Sequence, residues 1–155
     1  MTRAACGAAL GLMSPEAVAQ KARLGDLNDI AFGAISNLSA DVAQAQSVCA
    51  FSQSATNGYN VSATGSGPGG AFTLSAGAAQ LAYDVQWAAA PAQTSGTALA
   101  PGGVLSGLTS TASQQTCNSG PASSASLIVI LRAAQLGAAT AGSYTGTLSL
   151  TIAPE

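Results

Sequence analysis

The stretch QLAYDVQWA (80–88) sets Leu81, Tyr83, Val85 and Trp87 against Ala82, Asp84 and Gln86 in an unbroken two-residue alternation. Successive side chains of a β-strand point to opposite faces, so this pattern calls for a strand with one apolar and one wet face. A helix would scatter the same four apolar residues around its circumference. The closing stretch AGSYTGTLSLTIAPE (141–155) repeats the pattern, with Tyr144, Leu148, Leu150 and Ile152 on one side and Thr145, Thr147, Ser149 and Thr151 on the other. A strand of this kind needs a neighbour on each edge, which raises the question of where the second neighbour comes from.

Further strands follow at short intervals, separated by Gly, Ser, Pro and Asn. NDIAFGAI (28–35) puts Ile30 and Phe32 on one face, and AQSVCAFS (45–52) carries Cys49. NGYNVSATGSG (57–67) opens with an Asn-Gly turn signal and alternates Tyr59, Val61 and Ala63. GPGGAFTLS (67–75) holds Phe72 and Leu74, with its glycine-rich head read as a hairpin connection, and GGVLSGL (102–108) is a weaker strand. QQTCNSGPASS (114–124) reads as a loop around Cys117. ASLIVILRA (125–133) is a continuous apolar run, as a strand buried on both faces gives. SADVAQAQ (39–46) has room for one helical turn, and no stretch sustains a helical period. Seven or eight short strands with turn signals between them predict an all-β, immunoglobulin-like β-sandwich.

Charged residues make up 6% of the chain, against about a quarter in ordinary globular proteins, and the net charge is −2. From Val42 onward the only charged side chains are Asp84, Arg132 and Glu155. Nothing here forms the basic footprint that nucleic acid or an anionic membrane selects. A surface of Ser, Thr, Gln and Asn suits an exported protein or one that packs into an assembly.

Residues 1–19 read as a signal peptide. Arg3 supplies the positive end, AACGAALGLM (4–13) the apolar centre, and Ala17-Val18-Ala19 the small-x-small cleavage pattern. A short amphipathic helix of the domain is the other reading. The apolar run is too short to span a bilayer, and no later run is long enough. The mature domain is then 20–155, exported to the periplasm and on to the cell surface. Removal of Cys6 leaves two cysteines in an oxidising compartment, which predicts a Cys49–Cys117 disulfide, with two free buried thiols as the alternative.

The chain has no histidine. That removes the Ser-His-Asp arrangement, the common zinc sites and the usual general base. Asp26 and Asp29 stand three apart, a spacing that could serve a glycosidase or calcium, but they read more simply as solvated turn residues. Asp84 lies opposite the apolar face of its strand and is expected to point to solvent. No catalytic residue, metal or cofactor is called for, and the expectation is a protein that is not an enzyme.

Taken together, these segments resemble the spore coat U domain family, which includes the pilins of archaic chaperone–usher pili. LNDIAFGAI is similar to the family's early Phe-Gly strand, and SVCAFSQSATNGYNVSATGSG to its Cys strand followed by a Tyr-x-Val strand. GAFTLSAGAAQLAYDVQW and LGAATAGSYTGTLSLTIAPE resemble the segments ending in its Leu-x-Tyr strand and its closing Ala-Gly-x-Tyr strand. The likeness covers nearly all of residues 27 to 153. It departs in lacking a cysteine before the Phe-Gly strand and in having Gly146 where the family usually has Asp.

The resemblance implies a sandwich that lacks its final strand, with an apolar groove open beside the first and last strands. Ile30, Phe32, Tyr144, Leu148, Leu150 and Ile152 would line the groove. A periplasmic chaperone would fill it, then the N-terminal extension of another pilus subunit delivered through an outer-membrane usher. The Glu155 carboxylate would anchor to basic residues of the chaperone. The alternative is that the six are plain core residues of a self-complete, secreted or periplasmic binding domain. QKARLGD (20–26) is too short and too charged to be a donor strand, which points to a tip or minor subunit of an adhesive surface fibre.

Overall fold

The computed structural model describes residues 20–155, and the expected signal peptide, residues 1–19, lies outside the described residues. In chain order the strands are β1 (Lys21–Gly25), β2 (Val42–Gln53), β3 (Gly58–Gly65), β4 (Thr73–Ala76), β5 (Ala79–Ala82), β6 (Asp84–Ala88), β7 (Thr97–Leu99), β8 (Val104–Thr109), β9 (Ala125–Leu131) and β10 (Leu148–Pro154). One short helix, α1 (Ala133–Ala138), follows β9.

The apolar run at β9 is buried at every position and takes the centre of a five-stranded antiparallel sheet, in the order β1-β2-β9-β6-β7. A second sheet has the order β10-β3-β8, and β4 and β5 form a separate ribbon. Side chains from both sheets meet in one core: Val48 and Ala50 of β2, Val85 and Trp87 of β6, and Leu127, Val129 and Leu131 of β9 face Tyr59, Val61 and Ala63 of β3. The result is an immunoglobulin-like β-sandwich.

The alternation over 80–88 holds in burial but spans two strands. Leu81, Tyr83, Val85 and Trp87 are all buried. Leu81 belongs to β5, paired with β4, whereas Val85 and Trp87 belong to β6, paired with β9 and β7. At the junction the Tyr83 N–H donates to the Phe72 carbonyl, 3.0 Å. The chain keeps its apolar face while changing backbone partner, so side-chain period alone does not reveal the break.

Three expectations need correction. Residues 21–25, where the sequence reading places no strand, form β1, which pairs with β2 from Lys21↔Gln53 to Gly25↔Cys49. Its alternation is real but short, with Ala22 and Leu24 turned inward and Lys21 and Arg23 exposed. Residues 28–35, read as a strand, have no backbone ladder. The backbone ladder with β2 stops after Gly25, where Asp26 takes a left-handed φ of 60°, and the chain takes a second left-handed φ of 67° at Gly33. The stretch 42–46 extends β2 rather than forming a helical turn, and the six-residue helix lies at 133–138 instead.

Asp84 is half-exposed but not simply solvated. Arg132 reaches it through Nε at 2.6 Å and reaches Asp41 through Nη1 at 2.8 Å. Asp41 also accepts the Ala133 N–H, 2.8 Å, at the start of α1. The Ala133 amide and then Arg132 hold the Asp41 carboxyl below its usual range, and the two carboxylates push Arg132 up.

Candidate functional site: an open strand groove

Strand β10 forms a ladder only with β3, from Leu148↔Gly65 to Pro154↔Tyr59. Among the described residues, no strand is hydrogen-bonded to its outer edge. Along this strand Leu148, Leu150 and Ile152 turn inward yet stay only half-buried, while Ser149 and Thr151 are exposed. A row that packs on the core but is not sealed from water marks where the sandwich is open.

The opening is a groove of about 320 Å³. One wall is the unpaired segment from Leu27 to Phe32, and the other is Gly146 to Leu148 with Leu150. Its floor is made of core side chains, Leu74, Tyr83, Leu127 and Val129. Burial raises the Tyr83 phenol pKa above its ordinary value, as an apolar floor requires.

The first wall is held in a particular way. The Asn28 N–H donates to Gln46 Oε1 at 2.9 Å, and Gln46 Nε2 donates back to the Asn28 carbonyl at 3.1 Å. One side-chain amide thus stands in for a neighbouring strand at a single residue. On the second wall, Thr145 and Ser75 exchange backbone hydrogen bonds of 2.8 and 3.0 Å, and the Thr147 N–H donates to Ser66 Oγ at 3.1 Å. A Cβ on Gly146 would lie 2.9 Å from the Thr73 carbonyl oxygen, so a side chain there would force the backbone to shift.

Of the six residues expected at a groove, Ile30, Phe32, Leu148 and Leu150 line this one. Tyr144 and Ile152 are half-buried against the same core but outside the groove. The Tyr144 hydroxyl donates to the Thr140 carbonyl, 2.9 Å, and Ile152 stands opposite Val61 in the ladder. The Glu155 side chain is occupied within its own sheet: Oε2 accepts the Gly107 N–H at 2.8 Å and Oε1 accepts from Asn60 Nδ2 at 3.4 Å. The Gly107 amide, with Ser106 and Asn60, holds its pKa low. Sequence reasoning missed Leu27, Asn28 and Gln46, whose places depend on the chain bends at Asp26 and Gly33.

Away from the groove, Cys49 and Cys117 form a disulfide, with their Cα atoms 5.9 Å apart. It pins the loop around Cys117 to the outer face of β2, where Phe51 and Ala112 complete a small separate cluster. Asp26 and Asp29 are exposed, and Asp29 sits at the groove mouth. No group of three or more metal-ligating side chains is assembled among the described residues. No helix among them is long and apolar enough to cross a membrane.

Fold and groove together define an all-β sandwich domain with an open apolar edge. No protein-family model and no curated protein matches the chain. Among solved structures, a chain from the chaperone–tip adhesin complex in CFA/I fimbriae biogenesis aligns with a TM-score of 0.52 at 16% identity. The match covers 86% of this chain and 42% of that one, so this chain spans less than half of its structural neighbour's length. At this identity the likeness is one of fold.

Proposed function

We propose that this chain is a structural and adhesive subunit of a bacterial surface fibre, assembled by the chaperone–usher route. In this reading the groove beside β10 accepts an extended strand from another chain. A periplasmic chaperone fills it first, and the N-terminal extension of another subunit replaces the chaperone strand at an outer-membrane usher. The observation that carries the reading is the one-sided pairing of β10 next to an apolar groove floored by the core. An edge of this kind invites strand addition and is an aggregation hazard if left open.

The fold likeness to a chain of a fimbrial chaperone–adhesin complex supports a fibre role. The disulfide supports passage through an oxidising compartment. The domain works by binding and is not an enzyme. Residues 21–25 are taken up by pairing with β2 and are not themselves free to serve as a donor strand.

One observation favours a second reading, a self-complete secreted or periplasmic binding domain: β1 packs beside β10 and closes part of the gap between the sheets. Export of the full chain with and without a fimbrial chaperone separates the two. A strand-accepting subunit accumulates only with the chaperone and purifies bound to it. A self-complete domain accumulates alone as a monomer.

A further inference from the structure

The outer face of β2 carries a second concavity, of about 560 Å³, remote from the groove in its chemistry. Phe51 and Gln53 form its base, Asn57 one side, and residues 113–116 the overhanging loop. The disulfide at Cys117 holds that loop in place. None of the lining residues is charged. Gln53, Asn57, Gln114 and Gln115 offer amides that both donate and accept, and Ser113 and Thr116 offer hydroxyls. Phe51 and Ala112, the apolar members, are themselves buried at 8% and 5% exposure and present little apolar surface.

The register of β1 on β2 sets two cations on the same face, opposite two of the pocket's lining residues. Lys21 stands opposite Gln53, and Arg23 stands opposite Phe51. Directly opposed residues of an antiparallel pair project to the same face, within a few ångströms of each other. Both cations are exposed, and neither forms an ion pair among the described residues. In a chain with only four basic residues, two lie on adjacent same-face positions beside one polar pocket.

We propose that this pocket is a binding site for an acidic saccharide. The amide and hydroxyl wall matches sugar hydroxyls, which need donors and acceptors together. Arg23 and Lys21 pair with the sugar's carboxylate or sulfate, Arg23 through a two-pronged contact. The small apolar area disfavours a lipid or an aromatic ligand. The site lies on the outward face of the five-stranded sheet, so it is available whether the groove on the inner side is open or filled.

The test is a titration of ¹⁵N-labelled, disulfide-intact protein, in whichever soluble form it purifies, with digalacturonate, with neutral cellobiose and with triglutamate. The expected result is saturable shifts of the Gln53, Asn57, Gln114 and Gln115 resonances with digalacturonate alone. Binding weakens about tenfold in the K21Q/R23Q double variant and as salt is raised. The same spectra report that the variant is folded, and Q114A/Q115A weakens binding without touching the cations. The proposal is overturned if those resonances do not move, if cellobiose or triglutamate binds equally well, or if K21Q/R23Q binds as the unmodified protein does. None of these outcomes depends on whether β10 accepts a strand.

Discussion

The indole N–H of Trp87 donates a 3.0 Å hydrogen bond to the hydroxyl of Tyr59, joining the two sheets through the middle of the core. Both side chains are almost wholly buried, and their rings meet edge-on at 6.5 Å. Each thereby satisfies the other's polar atom where no water reaches.

Replacing Tyr59 with Phe leaves the Trp87 N–H unpartnered in the core. The expected cost is about 1–3 kcal/mol of stability, read from denaturant unfolding. The Tyr59 phenol pKa is raised above 10.0, chiefly by burial. The folded state therefore holds its proton where the unfolded chain begins to lose it. Stability should be fully present below pH 10 and fall as pH rises through the folded value, with a shallower alkaline fall in Tyr59→Phe. Equal alkaline slopes would contradict this.

The disulfide closes a loop with a sequence separation of 68. Chain entropy puts its contribution near 4 kcal/mol, a large share of a small domain's stability. The Cys49→Ser/Cys117→Ser variant should unfold at clearly lower denaturant, and intact-mass measurement of unreduced, exported protein should show no alkylatable thiol. Two alkylatable thiols in folded exported protein would contradict the pairing.

Asp41 is held low by the Ala133 amide and by Arg132. Its ionised form therefore favours the folded state above its ordinary value of 3.8, and that favour is lost as pH falls through the lowered folded value. Asp41→Asn should flatten this acid limb of the stability curve. The effect is small, because both partners are exposed and screened by salt.

On β10, Leu150 lines the groove and Thr151 faces solvent. Leu150→Asp should abolish co-purification with a chaperone, because it places an unpaired charge where an apolar side chain is to be covered. Thr151→Asp, one residue on, should be tolerated. Equal loss in both would point to general damage to β10 rather than to the groove.

The parts legible in the sequence are those where one face is buried along a whole strand. The alternation from Leu148 to Ile152 and the apolar run of β9 appear in the fold where expected, because burial dictates side-chain type residue by residue, whereas Tyr144 and Thr145, read into the same strand, precede β10. Backbone pairing is less legible. Ile30 and Phe32 keep the inward alternation of a strand, yet their backbone forms no ladder, the one with β2 ending at Gly25 just before the left-handed Asp26. Likewise β1 was hidden by Lys21 and Arg23, which mark a solvent face as readily as a tail. Ile30, Phe32, Leu148 and Leu150 were legible as inward-facing through alternation, while their place at a groove came only from the resemblance. Gln46 was not legible, because a side chain replacing a strand at one residue leaves no periodic trace.

Hydrogen exchange on residues 148–152 tests most directly whether β10 accepts a strand from another chain. The amides of this stretch that do not bond to β3 should exchange rapidly in the free subunit and become protected when a chaperone or subunit strand is bound. If the full domain instead purifies alone as a stable monomer, with the amides on both edges of β10 already protected, the chain supplies its own neighbour and the strand-acceptor reading fails.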